Sequence, residues 1–374
     1  MGEVPIFTLP RKVIYQRDIY KDVGEILGRY LSGRVLVVVD PNVLSIHGDK
    51  IKEMLRSVEY TVWSEVSPEP SVNDVLNAYD KVRGDYSSIL AIGGGSTIDF
   101  AKSLAYLLSV PGGDLRSLNP FESINPRITL IAMPTTSGTG SDASFGVVLT
   151  DDGRKLAMGN YDLVPMIIVL DPSFTPTQDS IIRATGLDAL VHAFESLTAN
   201  TATPLTDALA EKAIKLIIGN LGSAMANDEA AKDSMHLAAT MAGMAFSNSG
   251  TAMAHALGHA FGATFHVTHG TSVALFLPHA IRFNSADAVA RSKYEDVSRA
   301  LGFGEGVDRL IDGLLEFYRK VGQPIKVSEL GIKRDDYYSR LDEMVRKAME
   351  DSELSFNPVI PGEDDLRSIF EGAY

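Results

Sequence analysis

Runs of consecutive apolar residues alternate with helical periodicity through the first half of the chain. The run at 34–39 is rich in valine and has no polar alternation, which is typical of a strand buried on both faces of a sheet. Helical patterns follow at 45–56 and 98–109, and Ser71 with Asp74 forms a capping box that predicts a third helix between them. This alternation predicts βαβ units and a parallel sheet. The predicted strands are 34–39, 60–63, 87–92, 128–133 and 166–170, with a hairpin of 145–150 and 155–158.

Strand patterns nearly vanish after about residue 178, whereas helical periodicity continues almost to the end of the chain. A length of 374 residues also favours two domains over one. We therefore predict an α/β domain with a Rossmann-like parallel sheet over residues 1–177 and an all-helical domain over residues 178–374. The predicted helices of the second domain are 181–197, 204–218, 225–246, 253–263, 287–301, 307–321, 334–349 and 364–370.

Composition narrows the classes of partner and compartment. Hydrophobic residues make up 45% and charged residues 22% of the chain, as in globular proteins, and the formal net charge is -14. That charge argues against nucleic acid or an anionic membrane surface as the main partner. No apolar run is long enough to span a bilayer, and the first residues do not resemble a signal peptide, so we expect a cytoplasmic protein. Cysteine is absent, so any metal must be held by nitrogen and oxygen.

Histidines are concentrated in the second half of the chain. Five of the eight fall within one stretch of 25 residues that has neither Lys nor Arg. His255 and His259 are four residues apart and share one helix face, His269 follows, and Asp188 with His192 repeats the spacing upstream. A single histidine on an apolar helix face is most often a hydrogen-bonded core residue. The concentration instead favours a site for a divalent metal.

A glycine-rich turn follows the predicted strand 87–92. Gly93, Gly94, Gly95 and Ser96 lead directly into a helix, whose first N–H groups can bind the pyrophosphate of a nucleotide. The spacing is not G-x-G-x-x-G, and glycine turns also serve close packing, so the turn alone is a weak signal. Its place at the carboxyl end of a buried strand favours a cofactor.

Two further polar segments follow strand ends. Asp40 ends the run 34–39, where its carboxylate could accept hydrogen bonds from a ribose, although a plain turn residue before Pro41 is equally consistent. The segment 134–142 is rich in Thr, Ser and Gly, and such groups suit a phosphate or a nicotinamide amide. A flexible surface loop is the alternative for that segment.

Four strings carry a family resemblance: Gly93-Gly-Gly-Ser-Thr-Ile-Asp-Phe-Ala-Lys102, Pro134-Thr-Thr-Ser-Gly-Thr-Gly-Ser141, Gly186-Leu-Asp-Ala-Leu-Val-His-Ala-Phe-Glu195 and His255-x3-His259-x9-His269-Gly270. In this order and spacing the chain resembles the iron-containing (group III) alcohol dehydrogenases over nearly its whole length. The resemblance implies a dinucleotide-binding α/β domain and an all-helical metal-binding domain. It also implies Fe(2+), with Zn(2+) as an alternative, and NAD, with NADP as an alternative. The implied metal ligands are Asp188, His192, His255 and His269.

The resemblance implies roles for other residues as well. His259 matches a histidine that helps proton transfer, and Phe246 matches an aromatic residue of the substrate pocket. The family commonly forms homo-oligomers, dimers or larger. With Asp40 included, the implied cofactor-binding residues are Asp40, Gly94, Gly95, Ser96, Asp99, Thr135, Thr136, Thr139 and Lys155.

The expected function is hydride transfer between NAD(P) and a primary alcohol, a diol or the corresponding aldehyde, with the metal polarising the substrate oxygen. A dehydroquinate-synthase-like or glycerol-dehydrogenase-like enzyme of the same architecture is the alternative. A highly anionic substrate would require Lys or Arg near the metal, yet between residues 186 and 278 only Lys212, Lys215 and Lys232 occur. We therefore expect a small uncharged substrate. Asp40 favours NAD, because the 2′-phosphate of NADP would face a like charge.

Overall fold

The computed structural model describes residues 6–31, 33–82 and 84–374. Residues contact one another mainly within two compact units, Met1–Pro176 and Thr177–Tyr374. The first unit contains a parallel sheet with flanking helices, and the described part of the second contains helices without strands. The predicted fold class, a Rossmann-like α/β region followed by an all-helical region, is confirmed.

The first unit is built on a six-stranded sheet in the order β1-β8-β5-β4-β2-β3, and every neighbouring pair in it is parallel. The strands β6 and β7 form a separate antiparallel hairpin. The strands are β1 (Lys12–Tyr15), β2 (Val35–Val39), β3 (Tyr60–Trp63), β4 (Ser88–Gly93), β5 (Thr129–Pro134), β6 (Gly146–Asp151), β7 (Arg154–Gly159) and β8 (Ile167–Leu170). The helices are α1 (Val23–Leu27), α2 (Pro41–Met54), α3 (Val72–Lys81) and α4 (Gly95–Ser109).

The central strands are buried on both faces, which explains their unbroken apolar sequence. Leu36 and Val38 of β2 belong to the core on one face of the sheet, whereas Val35, Val37 and Val39 belong to the core on the other. This alternation follows from the two-residue period of a strand.

The carboxyl ends of β2, β4 and β5 lie side by side. The backbone N–H of Asp40 donates to the carbonyl of Ile92 at 3.0 Å, and that of Thr135 donates to the carbonyl of Gly93 at 3.0 Å. The register places Gly93 opposite Pro134. The glycine turn, Asp40 and the start of the segment 134–142 therefore share one edge of the sheet, where parallel α/β sheets bind ligands.

The second unit contains ten α-helices in its described residues. Its helix α7 begins later than the predicted 225–246, because Asp228 accepts a hydrogen bond from the N–H of Ala231 at 2.8 Å and caps a new helix. The helix α9 was not predicted at all, and the predicted 334–349 is interrupted at Arg340. The helices are α5 (Asp179–Thr198), α6 (Pro204–Met225), α7 (Glu229–Ser249), α8 (Met253–Phe265), α9 (His269–Asn284), α10 (Ala288–Ala300), α11 (Val307–Val321), α12 (Arg334–Ser339), α13 (Leu341–Met349) and α14 (Glu363–Ala373).

Glycines allow α5, α8 and α9 to pack at short distances. A β-carbon on Gly258 of α8 would lie 2.8 Å from the backbone nitrogen of Val273 in α9. A β-carbon on Gly270 of α9 would overlap the carbonyl of Ala184 in α5. Because only glycine fits at both positions, the backbones that carry the histidines approach one another closely. None of the helices in the described residues combines the length and apolar character needed to cross a bilayer.

Candidate metal centre

Three helices of the second unit bring one carboxylate and three imidazoles together. Asp188 and His192 lie one turn apart on α5, His255 lies in the first turn of α8, and His269 is the first residue of α9. From Asp188 Oδ1 the distance to Nε2 is 3.0 Å for His269, 3.7 Å for His255 and 4.0 Å for His192. The structure thus gathers all four predicted ligands around one carboxylate oxygen.

Two of the gathered atoms are buried and make no hydrogen bond to any described residue, namely Asp188 Oδ1 and His255 Nε2. Asp188 and His255 are each 3% exposed. An unsatisfied buried polar group costs about 1–3 kcal/mol, so native structures rarely contain such atoms without a reason. Ligand atoms of Asp188, His255 and His269 lie within 4.8 Å of one another, a spacing at which a single cation could contact all three. Oxygen and nitrogen donors in this ratio suit Fe(2+), Zn(2+) or a similar divalent ion.

His192 is held between two aromatic rings. Its ring stacks on that of His255, with centroids 4.6 Å apart and an interplanar angle of 18°. On the other side it stacks on Phe246 of α7, at 4.4 Å and 23°. Phe246 therefore fixes the orientation of a predicted ligand, in addition to the role in the substrate pocket that the resemblance implies.

The charge state of the cluster follows from its surroundings. Burial alone would raise the pKa of Asp188, but His192, His269 and His255 around it hold that pKa well below its ordinary value of 3.8. Burial lowers the pKa of His192 to about 3, so this ring is neutral. Burial also disfavours charge on His255, yet the carboxylates of Asp188 and Glu195 raise its pKa to about 10. The two carboxylates therefore favour positive charge at His255, from a proton or from a bound cation.

Glu195 is a residue of the centre to which the sequence analysis gave no role. Its carboxylate is 3% exposed and lies 2.5 Å from His255 Nδ1. It also accepts hydrogen bonds from the backbone N–H groups of Ala252 and Ala254, at 2.9 Å and 2.5 Å. The available signal was its spacing, since Asp188, His192 and Glu195 stand at i, i+4 and i+7 on one face of an apolar helix.

His259 lies next to the ligand cluster and is half-exposed. Its side chain is 41% exposed, and its Nδ1 is 2.8 Å from Asp351 Oδ2. Its ring stacks on that of His269, with centroids 5.2 Å apart. Asp351 caps a 3-10 helix (Ser352–Phe356) and lies 92 residues further along the chain, and nothing in its local sequence indicated this contact.

The glycine turn of the first unit packs against the threonines of the segment 134–142. Gly94 is the N-cap of α4, and Gly95 is its first residue. A β-carbon on Gly94 would lie 3.3 Å from Thr136 Oγ1, and one on Gly95 would lie 2.8 Å from Thr139 Oγ1. The structure therefore brings together two segments that the sequence analysis assigned separately to cofactor binding. It also places the amino terminus of a fifteen-residue helix at the turn, which suits an anion.

Several predicted cofactor residues make contacts within the protein. Asp40 Oδ1 accepts the N–H groups of Asn42 and Val43 at 2.8 Å and 3.0 Å, so this carboxylate caps α2. Ser96 Oγ donates to the carbonyl of Pro68 at 2.6 Å. Lys155 Nζ forms an exposed ion pair with Glu69, at 3.1 Å.

Asp99 lies in a buried polar network rather than on an open surface. Its Oδ2 accepts the N–H of Val148 at 2.9 Å, and its Oδ1 accepts the hydroxyl of Ser141 and lies 3.7 Å from Lys102 Nζ. Lys102 is fully buried and donates to the carbonyl of Gly146 at 2.7 Å. The pair therefore ties α4 to the end of the segment 134–142 and to β6.

Comparison with known proteins matches both parts of the chain to one family. The family model of iron-containing alcohol dehydrogenases matches residues 10–172, and that of the C-terminal part of the Fe-containing alcohol dehydrogenase family matches residues 182–374. An alcohol dehydrogenase of Thermococcus barophilus is 37% identical over 318 residues, which cover 83% of each chain. An NADPH-dependent butanol dehydrogenase of Clostridium saccharobutylicum is 30% identical over 98% of this chain and 97% of its own length. The solved structure of an iron-containing alcohol dehydrogenase from Thermococcus thioreducens superimposes with a TM-score of 0.91, at 30% identity and 99% coverage of both chains.

Proposed function

The chain belongs to the iron-containing alcohol dehydrogenase family, and from this premise we propose that Asp188, His192, His255 and His269 hold the divalent ion with which it interconverts alcohols and aldehydes. The observation that carries the proposal is the pair of buried atoms, Asp188 Oδ1 and His255 Nε2, that face each other without hydrogen-bond partners. A cation would satisfy both atoms. When bound, such an ion polarises the oxygen of an alcohol or aldehyde and lowers the pKa of the alcohol.

The remaining chemistry falls to the protein side chains. His259 has the exposure and position to receive the proton of the alcohol, and Asp351 beside Nδ1 directs its free Nε2 away from that carboxylate. Phe246 forms an apolar wall beside His192, suited to a carbon chain rather than to charged groups. Positioning the carbinol carbon and excluding water would then favour hydride transfer.

An uncharged substrate agrees with where the nearby lysines lie. Lys212 and Lys215 are on the exposed face of α6, and Lys232 Nζ donates to Asn227 Oδ1 at 2.6 Å. We therefore favour a small primary alcohol, a diol or the corresponding aldehyde over the anionic substrate of a dehydroquinate-synthase-like enzyme.

NAD is the proposed cofactor, bound at the carboxyl edge of the sheet. Gly94, Gly95 and Ser96 would bind the pyrophosphate at the start of α4, and Asp40 would face the adenosine ribose. Thr135, Thr136 and Thr139 line the neighbouring segment and would contact the nicotinamide half, with Lys155 nearby. Asp99 acts on the same segment from within, through Ser141.

The proposal is tested by preparing the full chain without air, measuring bound metal by elemental analysis and assaying NAD reduction with primary alcohols and diols. We expect about one iron or zinc per chain and alcohol-dependent NADH formation. The variants Asp188→Ala and His255→Ala should remain folded but lose both metal and turnover. Full activity in either variant would remove that residue from the centre, and turnover in wild type after complete removal of metal would refute the proposed chemistry.

A further inference from the structure

Glu195 connects α5 to the metal-binding helix α8 through three hydrogen bonds. The carboxylate is a pure acceptor when ionised, and its three partners are the N–H groups of Ala252 and Ala254 and the Nδ1 of His255. The two N–H groups can only donate. Because an ionised carboxylate can only accept, His255 must donate to Glu195 as well. The proton on Nδ1 is thereby fixed, and a neutral His255 keeps its lone pair on Nε2.

The same three bonds fix the position of the helix as well as the tautomer. Ala252 is the N-cap residue of α8, and its own side chain provides no capping hydrogen bond. Glu195 supplies that function from another helix, and its negative charge lies at the positive end of the α8 dipole. His255 stands three residues beyond Ala252, so a single carboxylate sets both the backbone and the ring of this residue.

We propose that Glu195 is a positioning residue of the metal centre: it holds His255 as the Nδ1–H tautomer and aims Nε2 at the point that Asp188 and His269 face. The inference rests on the proposed metal-dependent function. It assigns Glu195 no contact with metal or substrate, because Glu195 contacts Nδ1 of His255, whereas the nitrogen that faces Asp188 is Nε2. Outer carboxylates of this kind typically change metal affinity by about 10- to 100-fold when they are altered.

The decisive variant is Glu195→Gln in the full chain. Glutamine has nearly the same shape, but its amide offers two donors where the site presents only donors. Two orientations of the amide exist, and each perturbs the centre. With the amide nitrogen at the Oε2 position, relief requires His255 to accept at Nδ1 and carry its proton on Nε2, where that proton blocks the metal. With the amide nitrogen at the Oε1 position, it faces the N–H of Ala254 and displaces the start of α8, which carries His255. We expect the dissociation constant for Zn(2+), measured by competition with a chromogenic chelator, to rise by about 10- to 100-fold. Glu329→Gln is the matched control, because Glu329 is exposed and accepts a single backbone N–H, that of Ile325 at 2.9 Å.

A purely structural role for Glu195 predicts a different result. If Glu195 only capped α8, Glu195→Gln would lower the melting temperature of the metal-free protein and leave its Zn(2+) affinity equal to that of wild type, which would overturn the inference. A wild type that binds neither Zn(2+) nor Fe(2+) would overturn the proposed function, and the inference with it. Should Glu195→Gln fail to fold, 15N spectra of histidine-labelled, Zn(2+)-loaded wild type decide: we expect the His255 proton on Nδ1, and a proton on Nε2 would overturn the inference.

Discussion

Gly270 allows α9 to approach α5 so closely that its replacement by alanine should dismantle the proposed metal centre. A β-carbon at this position would overlap the carbonyl oxygen of Ala184 and lie 2.7 Å from the carbonyl carbon. Both obstructing atoms belong to the backbone of α5, so no side-chain rotation can make room. Gly270→Ala must therefore move the start of α9, which carries His269, away from the helix that carries Asp188.

The size of that movement follows from the contact distance. Carbon atoms in contact are about 3.5–4.0 Å apart, so relief of the 2.7 Å contact requires a shift of about 1 Å. Metal–ligand distances are tolerated within about 0.2 Å. Because His269 Nε2 and Asp188 Oδ1 are 3.0 Å apart and come from the two separated helices, the shift exceeds this tolerance several-fold. The overpacked core should also lose about 1–3 kcal/mol of stability.

The assay is elemental analysis of the purified variant, together with alcohol-dependent NADH formation and thermal denaturation. We expect a folded protein with little metal and turnover reduced by about 10- to 100-fold or more, since changes around metal sites typically have effects of that size. Gly219→Ala is the control, since Gly219 is exposed on α6 and nothing lies within 4 Å of a β-carbon there. It should keep its metal and gain about 0.5–1 kcal/mol of stability. Wild-type metal content and turnover in Gly270→Ala would refute the argument from packing.

Four further predictions address individual residues. His259→Ala should keep its metal and lose about 100-fold in kcat, as expected for a lost proton acceptor, and an unchanged kcat would make it a packing residue. Gly95→Ala should raise the KM for NAD at least ten-fold without loss of metal, because its β-carbon would push Thr139 away; normal cofactor kinetics would contradict this. Asp40→Gly should raise the preference for NADP over NAD, at little cost to the α2 cap, and an unchanged ratio of kcat/KM values would exclude it as the selector. Burial lowers the pKa of Lys102 from 10.5 to about 8. Between pH 8 and pH 10.5 the unfolded chain therefore binds more protons than the folded protein. The free energy of unfolding should rise with pH over this range, by roughly 3 kcal/mol in total. Lys102→Met should lack this rise in urea titrations followed by the fluorescence of the single tryptophan, which lies in β3, and equal slopes in the two proteins would refute it.

The sheet was predictable because its central strands are buried on both faces. Residues 34–39 and 87–92 were predicted as strands, and β2 and β4 occupy 35–39 and 88–93. Helix starts were less accurate, since α2 and α4 begin with Pro41 and Gly95, residues that usually interrupt helices. Both are favourable at these positions: proline suits the first turn, and glycine allows the turn after β4 to pack against its neighbour.

The helix α9 was missed for a similar reason. Gly270 and Pro278 both disfavour a helix by propensity, yet α9 runs from His269 to Asn284 with Pro278 inside it. Tertiary packing decides here, because Gly270 is required by the contact with α5. The spacing on α5 could place Glu195 on the same helix face as Asp188 and His192, but not against His255. Glu195 and Asp351 lie 60 and 92 residues from the histidines that they contact.

The choice between a metal ligand and an ordinary core histidine depends on how the polar atoms are partnered. A core histidine in an apolar helix is expected to have both ring nitrogens satisfied, and at His255 only Nδ1 meets this expectation. The unsatisfied Nε2 and the unsatisfied oxygen of Asp188 face each other across 3.7 Å, which is too long for a hydrogen bond. Leaving both atoms unpaired would cost about 2–6 kcal/mol, a large part of the 5–15 kcal/mol by which a domain is stable. The fully bonded Glu195 behind His255 prevents the ring from turning to find another partner, so the arrangement makes physical sense with a cation between the two atoms.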